Sequence, residues 1–148
     1  MFKVKRHERC PCGSGQRFDA CCLPYHQGKR YPATPELLMR ARYSAYCVGA
    51  VDFIMDTWDE PRWNSSLTGD SVQRSVEREE LLDYCREVVY RRLEVLSTEP
   101  EDERGWAYVT FVATFQYGKV GLVQDVRERS LFEKQGGRWM YLRPADSI

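Results

Sequence analysis

The spacing of apolar residues changes character near the middle of the chain. Leu38, Ala41, Ala45 and Val48 recur at helical intervals and predict an amphipathic helix with a narrow apolar face. Thr34 is placed to cap it, Pro35 suits the first helical position, and Glu36 suits the positive end of the helix dipole. Gly49 can end it in a left-handed conformation. A short second helix over about 50–58 gathers Val51, Ile54 and Met55, the polar stretch from Pro61 to Asp70 reads as a loop, and a weaker third helix spans about 71–84.

Beyond residue 88 the period falls to two. Residues 88–97 alternate around Leu93 and Val95. In 106–117, Ala107, Val109, Phe111, Ala113 and Phe115 take one face, and Trp106, Tyr108, Thr110, Val112 and Thr114 the other. Residues 126–134 and 138–143 flank Gln135-Gly136-Gly137, a short hairpin connection. Helices followed by a strand meander predict an α+β domain, with the helices packed on one face of a curved antiparallel sheet.

Composition sharpens this picture. At 148 residues with 43% hydrophobic content, the chain suits one domain of ordinary size or a domain plus a small appendage. Lys plus Arg and Asp plus Glu both number 22, which excludes a globally basic nucleic-acid binder and a disordered acidic chain. No apolar run approaches the ~18 residues of a membrane span, and MFKVKRHERC lacks the apolar stretch of a secretory signal. The expected location is therefore the cytoplasm, where reduced cysteines favour metal binding over disulfides.

The even charge balance hides an asymmetry. Residues 1–30 hold seven basic side chains (Lys3, Lys5, Arg6, Arg9, Arg17, Lys29 and Arg30) against two acids, and four of the six cysteines. The chain divides into a small basic head, 1–30, and a larger body, 31–148. In the head, Cys10, Cys12, Cys21 and Cys22 follow a C-x-C-x8-C-C spacing that suits one tetrahedral Zn²⁺ per chain. Gly13 and Gly15 permit a tight turn, and Ser14 can bond the turn or a thiolate. The second pair requires a segment such as a helix end, where neighbouring side chains both reach inward. His7 and His26 flank the cluster as alternative ligands, with Cys22 preferred over His26. Too short for its own core, the head would draw folding energy from the metal. Its basic residues either offset the thiolates or form a surface for phosphate or an acidic partner.

Cys10-Pro11-Cys12-Gly13-Ser14-Gly15 with Cys21-Cys22 resembles the SEC-C motif, the zinc module at the end of the SecA translocation motor, where it binds a chaperone and has been connected with ribosome contact. The body is similar to the YchJ-like bacterial family. The likeness rests on residues 38–46, Thr57-Trp58, residues 109–115, residues 128–132 and Gly137-Arg138-Trp139-Met140-Tyr141. The resemblance implies a SEC-C motif followed by an NTF2-like cone, with about three helices inside a bent sheet of about four strands and a cavity at the wide end.

Arg42, Tyr43 and Tyr46 lie together on the first helix, and Trp58 ends the second. Glu128 and Ser130 share a strand face with Phe132, and Trp139 and Tyr141 share a face on the next strand. These eight residues could form an aromatic pocket with an Arg–carboxylate anchor for a small anionic or amide-bearing ligand. The competing and favoured expectation is an Arg42–Glu128 ion pair that locks helix to sheet. No catalytic residue stands out. Both histidines belong to the head, Asp52 and Asp56 suit solvent, and Cys47 and Cys85 read as buried thiols. The sequence leans away from an enzyme. It points first to a zinc-dependent adaptor whose head contacts a protein or ribonucleoprotein. The alternative is an NTF2-like small-molecule binder or enzyme, for which a pocket lined by Arg42, Glu128 and the aromatics is the distinguishing feature.

Overall fold

Thr34 opens the main helix of the body as its spacing predicts: its side chain accepts a hydrogen bond from the Leu37 N–H at 3.2 Å. The structure is a computed structural model that describes residues 1–61 and 71–145; most of the loop expected between Pro61 and Asp70 lies outside the described residues. The head contributes a 3₁₀ turn at Phe18–Ala20 and helix α1, Leu23–His26. The body follows with α2 (Pro35–Val48), α3 (Val51–Asp56) and α4 (Ser71–Glu87). Four strands complete it: β1 (Val88–Glu99), β2 (Trp106–Tyr117), β3 (Val123–Gln135) and β4 (Arg138–Pro144).

The strands form one antiparallel sheet in the order β1-β2-β3-β4, each joined to the next as a meander. β2 keeps the predicted bounds and β3 starts three residues earlier than expected. Gly136 and Gly137, with φ of 57° and 81°, make the two-residue turn between β3 and β4. Register shifts interrupt β1 between Tyr90 and Arg92 and between Val95 and Ser97, and the β3–β4 pairing between Leu131 and Phe132. Such irregularities bend a sheet and increase its local twist.

α2 is buried on more than the predicted stripe. Leu38, Ala41 and Ala45 are buried, and so are Met39, Arg42, Tyr43, Ser44 and Cys47. The reason is that the sheet covers one side of the helix and the head covers another. Cys10, Cys12, Phe18, Cys22 and Tyr25 share a single hydrophobic core with Leu38, Ala41, Ile54, Val109 and Phe132. Arg40 strengthens this seam, donating from Nη1 to the Cys12 carbonyl at 2.9 Å and from Nε to Glu36 at 3.0 Å.

α3 is shorter than predicted, and its exit is tied to the sheet edge. Tyr141 N–H donates to the Thr57 carbonyl at 2.8 Å, and Asp59 N–H donates to the Tyr141 carbonyl at 2.9 Å. This bridge fixes Trp58 beside Tyr141 with ring centroids 5.8 Å apart. Among the described residues, no helix is long and apolar enough to cross a membrane.

Candidate functional site

Two places in the fold concentrate chemistry. The first is the cysteine cluster. Gly13 and Gly15 adopt φ of 81° and 83°, so the chain turns sharply after the Cys10–Cys12 pair. A bridge between Arg9 and Arg17 closes this knuckle. Cys22 then caps the start of α1, which turns the second pair toward the first. The four Sγ atoms lie within 4.8 Å of one another, with Cys12–Cys21 at 3.6 Å and Cys21–Cys22 at 3.9 Å. An ion bound tetrahedrally by sulfur at about 2.3 Å spaces its ligands about 3.8 Å apart, so the donor set and its geometry fit a metal. Ser14 serves both expected roles: its Oγ accepts from Gln16 N–H at 3.2 Å and lies 3.2 Å from Cys21 Sγ.

Thiols this crowded do not titrate independently. Hydrogen bonds from Cys10 and Cys22 hold the Cys12 thiol far below its ordinary range. The same bonds and burial keep protons on the donors: Cys10 is pushed up to about 12, and Cys22 is raised further. A dication relieves this conflict, because it lets all four sulfurs ionise together. Neither histidine joins the group. His7 is exposed, whereas His26 turns toward α2, with Nε2 2.8 Å from the Ala41 carbonyl and 3.1 Å from Ser44 Oγ. Donation to Ala41 places the proton on Nε2 and leaves Nδ1 buried without a partner. Burial lowers the His26 pKa.

The second place is a cavity of about 410 Å³ between α2, α4 and the inner face of the sheet. Seven of the eight residues expected to form a pocket line it: Arg42, Tyr43, Tyr46, Trp58, Glu128, Ser130 and Tyr141. Trp139 does not. It shares the β4 face of Tyr141 but lies two residues toward the hairpin, where it packs in the core and lines a separate 380 Å³ cleft with Tyr25, His26 and Phe53. The alternation of β2 explains Phe111, Ala113 and Phe115 on the cavity wall. Leu81 and Tyr84 of α4 and Tyr90 of β1 complete it. Their sequence signal is weak, because α4 is largely polar and its apolar positions form no continuous stripe.

Arg42 and Glu128 face this cavity without forming the expected ion pair. Arg42 is 6% exposed. Its Nη1 donates to the Ile54 carbonyl and to Thr57 Oγ1, both at 2.8 Å. Its guanidinium lies 4.6 Å from the Tyr141 ring centroid and 5.5 Å from that of Trp58. Glu128 instead accepts through Oε2 from Ser130 Oγ and from the Tyr141 hydroxyl, the latter at 3.0 Å. The end of α3 supplies the acceptors that the sequence predicts from a carboxylate. Thr57 is the polar residue that this expectation leaves out. Burial lowers the Arg42 pKa, opposed by its charge interactions with Tyr46, Tyr141 and Glu128.

The remaining candidates sit elsewhere. Asp52 and Asp56 reach across to α4 and pair with Arg78 at 2.9 Å and Arg74 at 2.6 Å on the exposed side. Cys47 and Cys85 are 2% and 0% exposed.

Comparison with known proteins places both features in a family context. A family model described as the YchJ middle NTF2-like domain matches residues 34–144, and a SEC-C motif model matches residues 7–24. The UPF0225 protein of Serratia proteamaculans is 38% identical over 135 residues, covering 91% of this chain and 81% of that protein. Its counterpart in Deinococcus radiodurans is 36% identical over 137 residues, covering 93% and 88%. Among solved structures, a SEC-C motif containing protein from Rhodopseudomonas palustris superposes with a TM-score of 0.73 at 32% identity, covering 92% of this chain and 96% of that one. A SEC-C motif containing protein from Psychrobacter arcticus gives 0.75 at 25% identity, with 97% and 85% covered.

Proposed function

The chain belongs to the YchJ family, a SEC-C motif joined to an NTF2-like domain, and from that premise we propose that it is a small-molecule-binding protein whose head is a structural clip held by one Zn²⁺. The observation that carries this reading is Arg42. Arg42 is 6% exposed and faces a 410 Å³ cavity, and among the described residues its Nε and Nη2 have no protein acceptor. Burying a charge without full hydrogen bonding is costly, so such a group is accounted for by a ligand that completes its bonds. The head contributes to the same core as the cone, which suits a brace. Cys10, Cys12, Cys21 and Cys22 supply a sulfur-only set of the kind zinc prefers in closed structural sites. Six free cysteines fit a reducing cytoplasm.

The test is ligand-observed NMR with a fragment library on the zinc-loaded chain, repeated with Ala113→Trp. Ala113 lines the cavity and is 2% exposed, so an indole there fills the space. Fragments that bind the wild type and are lost in the variant support the reading. Equal binding to both, or none, refutes it.

A second reading is favoured by the head's exterior. All seven basic side chains of residues 1–30 are exposed. They form a surface for an acidic protein or ribonucleoprotein partner. Salt-sensitive cosedimentation with ribosomes, abolished by charge reversal at Lys5, Arg6 and Arg9, would support this contact. Cosedimentation unaffected by those changes would count against it.

A further inference from the structure

The polarity of the cavity restricts what it can hold, an argument that rests on the small-molecule reading above. Three kinds of group meet inside. Arg42 presents Nε and Nη2 as donors that have no acceptor among the described residues. Among the described residues the Tyr46 hydroxyl has no hydrogen-bond partner, and its phenol lies close enough to Arg42 for each to affect the other's ionisation. Glu128 commits Oε2 to Ser130 and Tyr141 and leaves Oε1 without a donor among the described residues. The rest of the wall is aromatic or aliphatic, with Trp58, Phe111 and Phe115 offering flat surfaces.

The formal charges of Arg42 and Glu128 cancel, although the two groups do not touch. The Tyr141 ring lies against one and its hydroxyl bonds the other. A monoanion entering this space gains Arg42 but approaches the half-buried Glu128 carboxylate. A monocation meets the reverse conflict. Either would leave a net charge against a wall that is mostly apolar. A head group that is neutral overall, yet carries an acceptor beside a donor, satisfies both poles at once.

We propose that the cavity binds small ligands with an aromatic or apolar body and a charge-neutral dipolar head, its acceptor on Arg42 and Tyr46 and its donor on Glu128. A primary carboxamide and an α-ammonium carboxylate share this chemistry. The cavity volume admits a body the size of one phenyl ring with a two- or three-carbon tether.

The experiment titrates the zinc-loaded full chain with four probes of one shape: 3-phenylpropanamide, L-phenylalanine, 3-phenylpropanoate and 2-phenylethylamine. At least one of the first two binds about tenfold more tightly than both ions, and the stronger of them names the head. Glu128→Gln retains an acceptor for Tyr141 and Ser130 and removes the charge, so it raises affinity for 3-phenylpropanoate by about tenfold. Tyr46→Phe weakens the preferred probe several-fold without altering the fold, a second readout should Glu128→Gln disturb packing. Tightest binding of 3-phenylpropanoate to the wild type, or an affinity for 3-phenylpropanoate unchanged by Glu128→Gln, overturns the inference. Cavity binding with no preference among the four heads overturns it and leaves the small-molecule reading standing. Absence of cavity binding by any fragment overturns both.

Discussion

Tyr141 presents its ring to Arg42, 4.6 Å from the guanidinium carbon, and its hydroxyl to Glu128, 3.0 Å from Oε2. One phenol thus links a buried cation to a carboxylate that it does not touch, and both charges remain available to the cavity. The position of Tyr141 follows from backbone pairing, since its N–H and carbonyl bond Thr57 and Asp59 at the exit of α3.

Replacing Tyr141 separates these two roles. Tyr141→Phe removes only the bond to Glu128 and should cost about 1 kcal/mol in chemical denaturation. Tyr141→Leu also removes the stacking on Arg42 and Trp58 and should cost about 1–2 kcal/mol more. Equal losses for the two variants would show that the ring contributes nothing beyond its hydroxyl.

Thiol reactivity should divide the six cysteines into two sets. Burial pushes Cys47 up to about 12 and Cys85 up to about 11, so at pH 8 both remain almost wholly as thiols, the unreactive form. In native, metal-loaded protein, iodoacetamide should modify neither. After chelation, mass spectrometry should find modification confined to Cys10, Cys12, Cys21 and Cys22, with Cys47 and Cys85 reacting only in denaturant. Early labelling of Cys85 would contradict its placement at 0% exposure.

Metal removal should loosen the body as well as the head. The sheet pairs within itself and does not depend on residues 1–30 for its ladders. Yet Phe18, Cys22 and Tyr25 pack in the core that contains Leu38 and Ala41, so loss of the head uncovers a side of α2. Chelation should therefore retain most of the strand signal in circular dichroism while lowering the melting temperature by several degrees. An unchanged melting temperature would show that the two parts are energetically separate.

The fold was legible where one local signal sufficed. The caps at Thr34 and Gly49, the alternation of 106–117 and the glycine turn at 136–137 each follow from backbone preferences that tertiary contacts reinforce. The cysteine spacing was legible for the same reason, since all four ligands fall within one short segment. The cavity was read by face, which located Arg42, Glu128 and Tyr141 but not their partners. Alternation states which side of a strand a residue takes. It does not state how far along a bent sheet the cavity extends, and so Trp139 fell beyond it. Nor does a sequence pattern reveal which groups a helix end turns toward a neighbouring side chain, and so it does not show the Ile54 carbonyl and the Thr57 hydroxyl as acceptors for Arg42.

That difference in partners reverses an expectation about stability. Had Arg42 been forked to Glu128, loss of either would have stranded a buried charge, at a cost of about 3–5 kcal/mol, and loss of both would have restored part of it. In the observed arrangement the cation is already incompletely bonded, and burial opposes its charge. Arg42→Met removes two hydrogen bonds and the stacking on Tyr141, but it also removes a desolvated charge and fills similar volume with an apolar chain. The two effects oppose each other, so the net change should fall within about 1 kcal/mol in urea denaturation. Glu128→Gln should be similarly mild, because the amide oxygen still accepts from Tyr141 and Ser130. In a double-mutant cycle the two changes should add to within about 0.5 kcal/mol, as groups do when no direct bond joins them. A strong loss for Arg42→Met alone, partly rescued by Glu128→Gln, would mean that the pair holds the fold together and that the cavity is incidental to it.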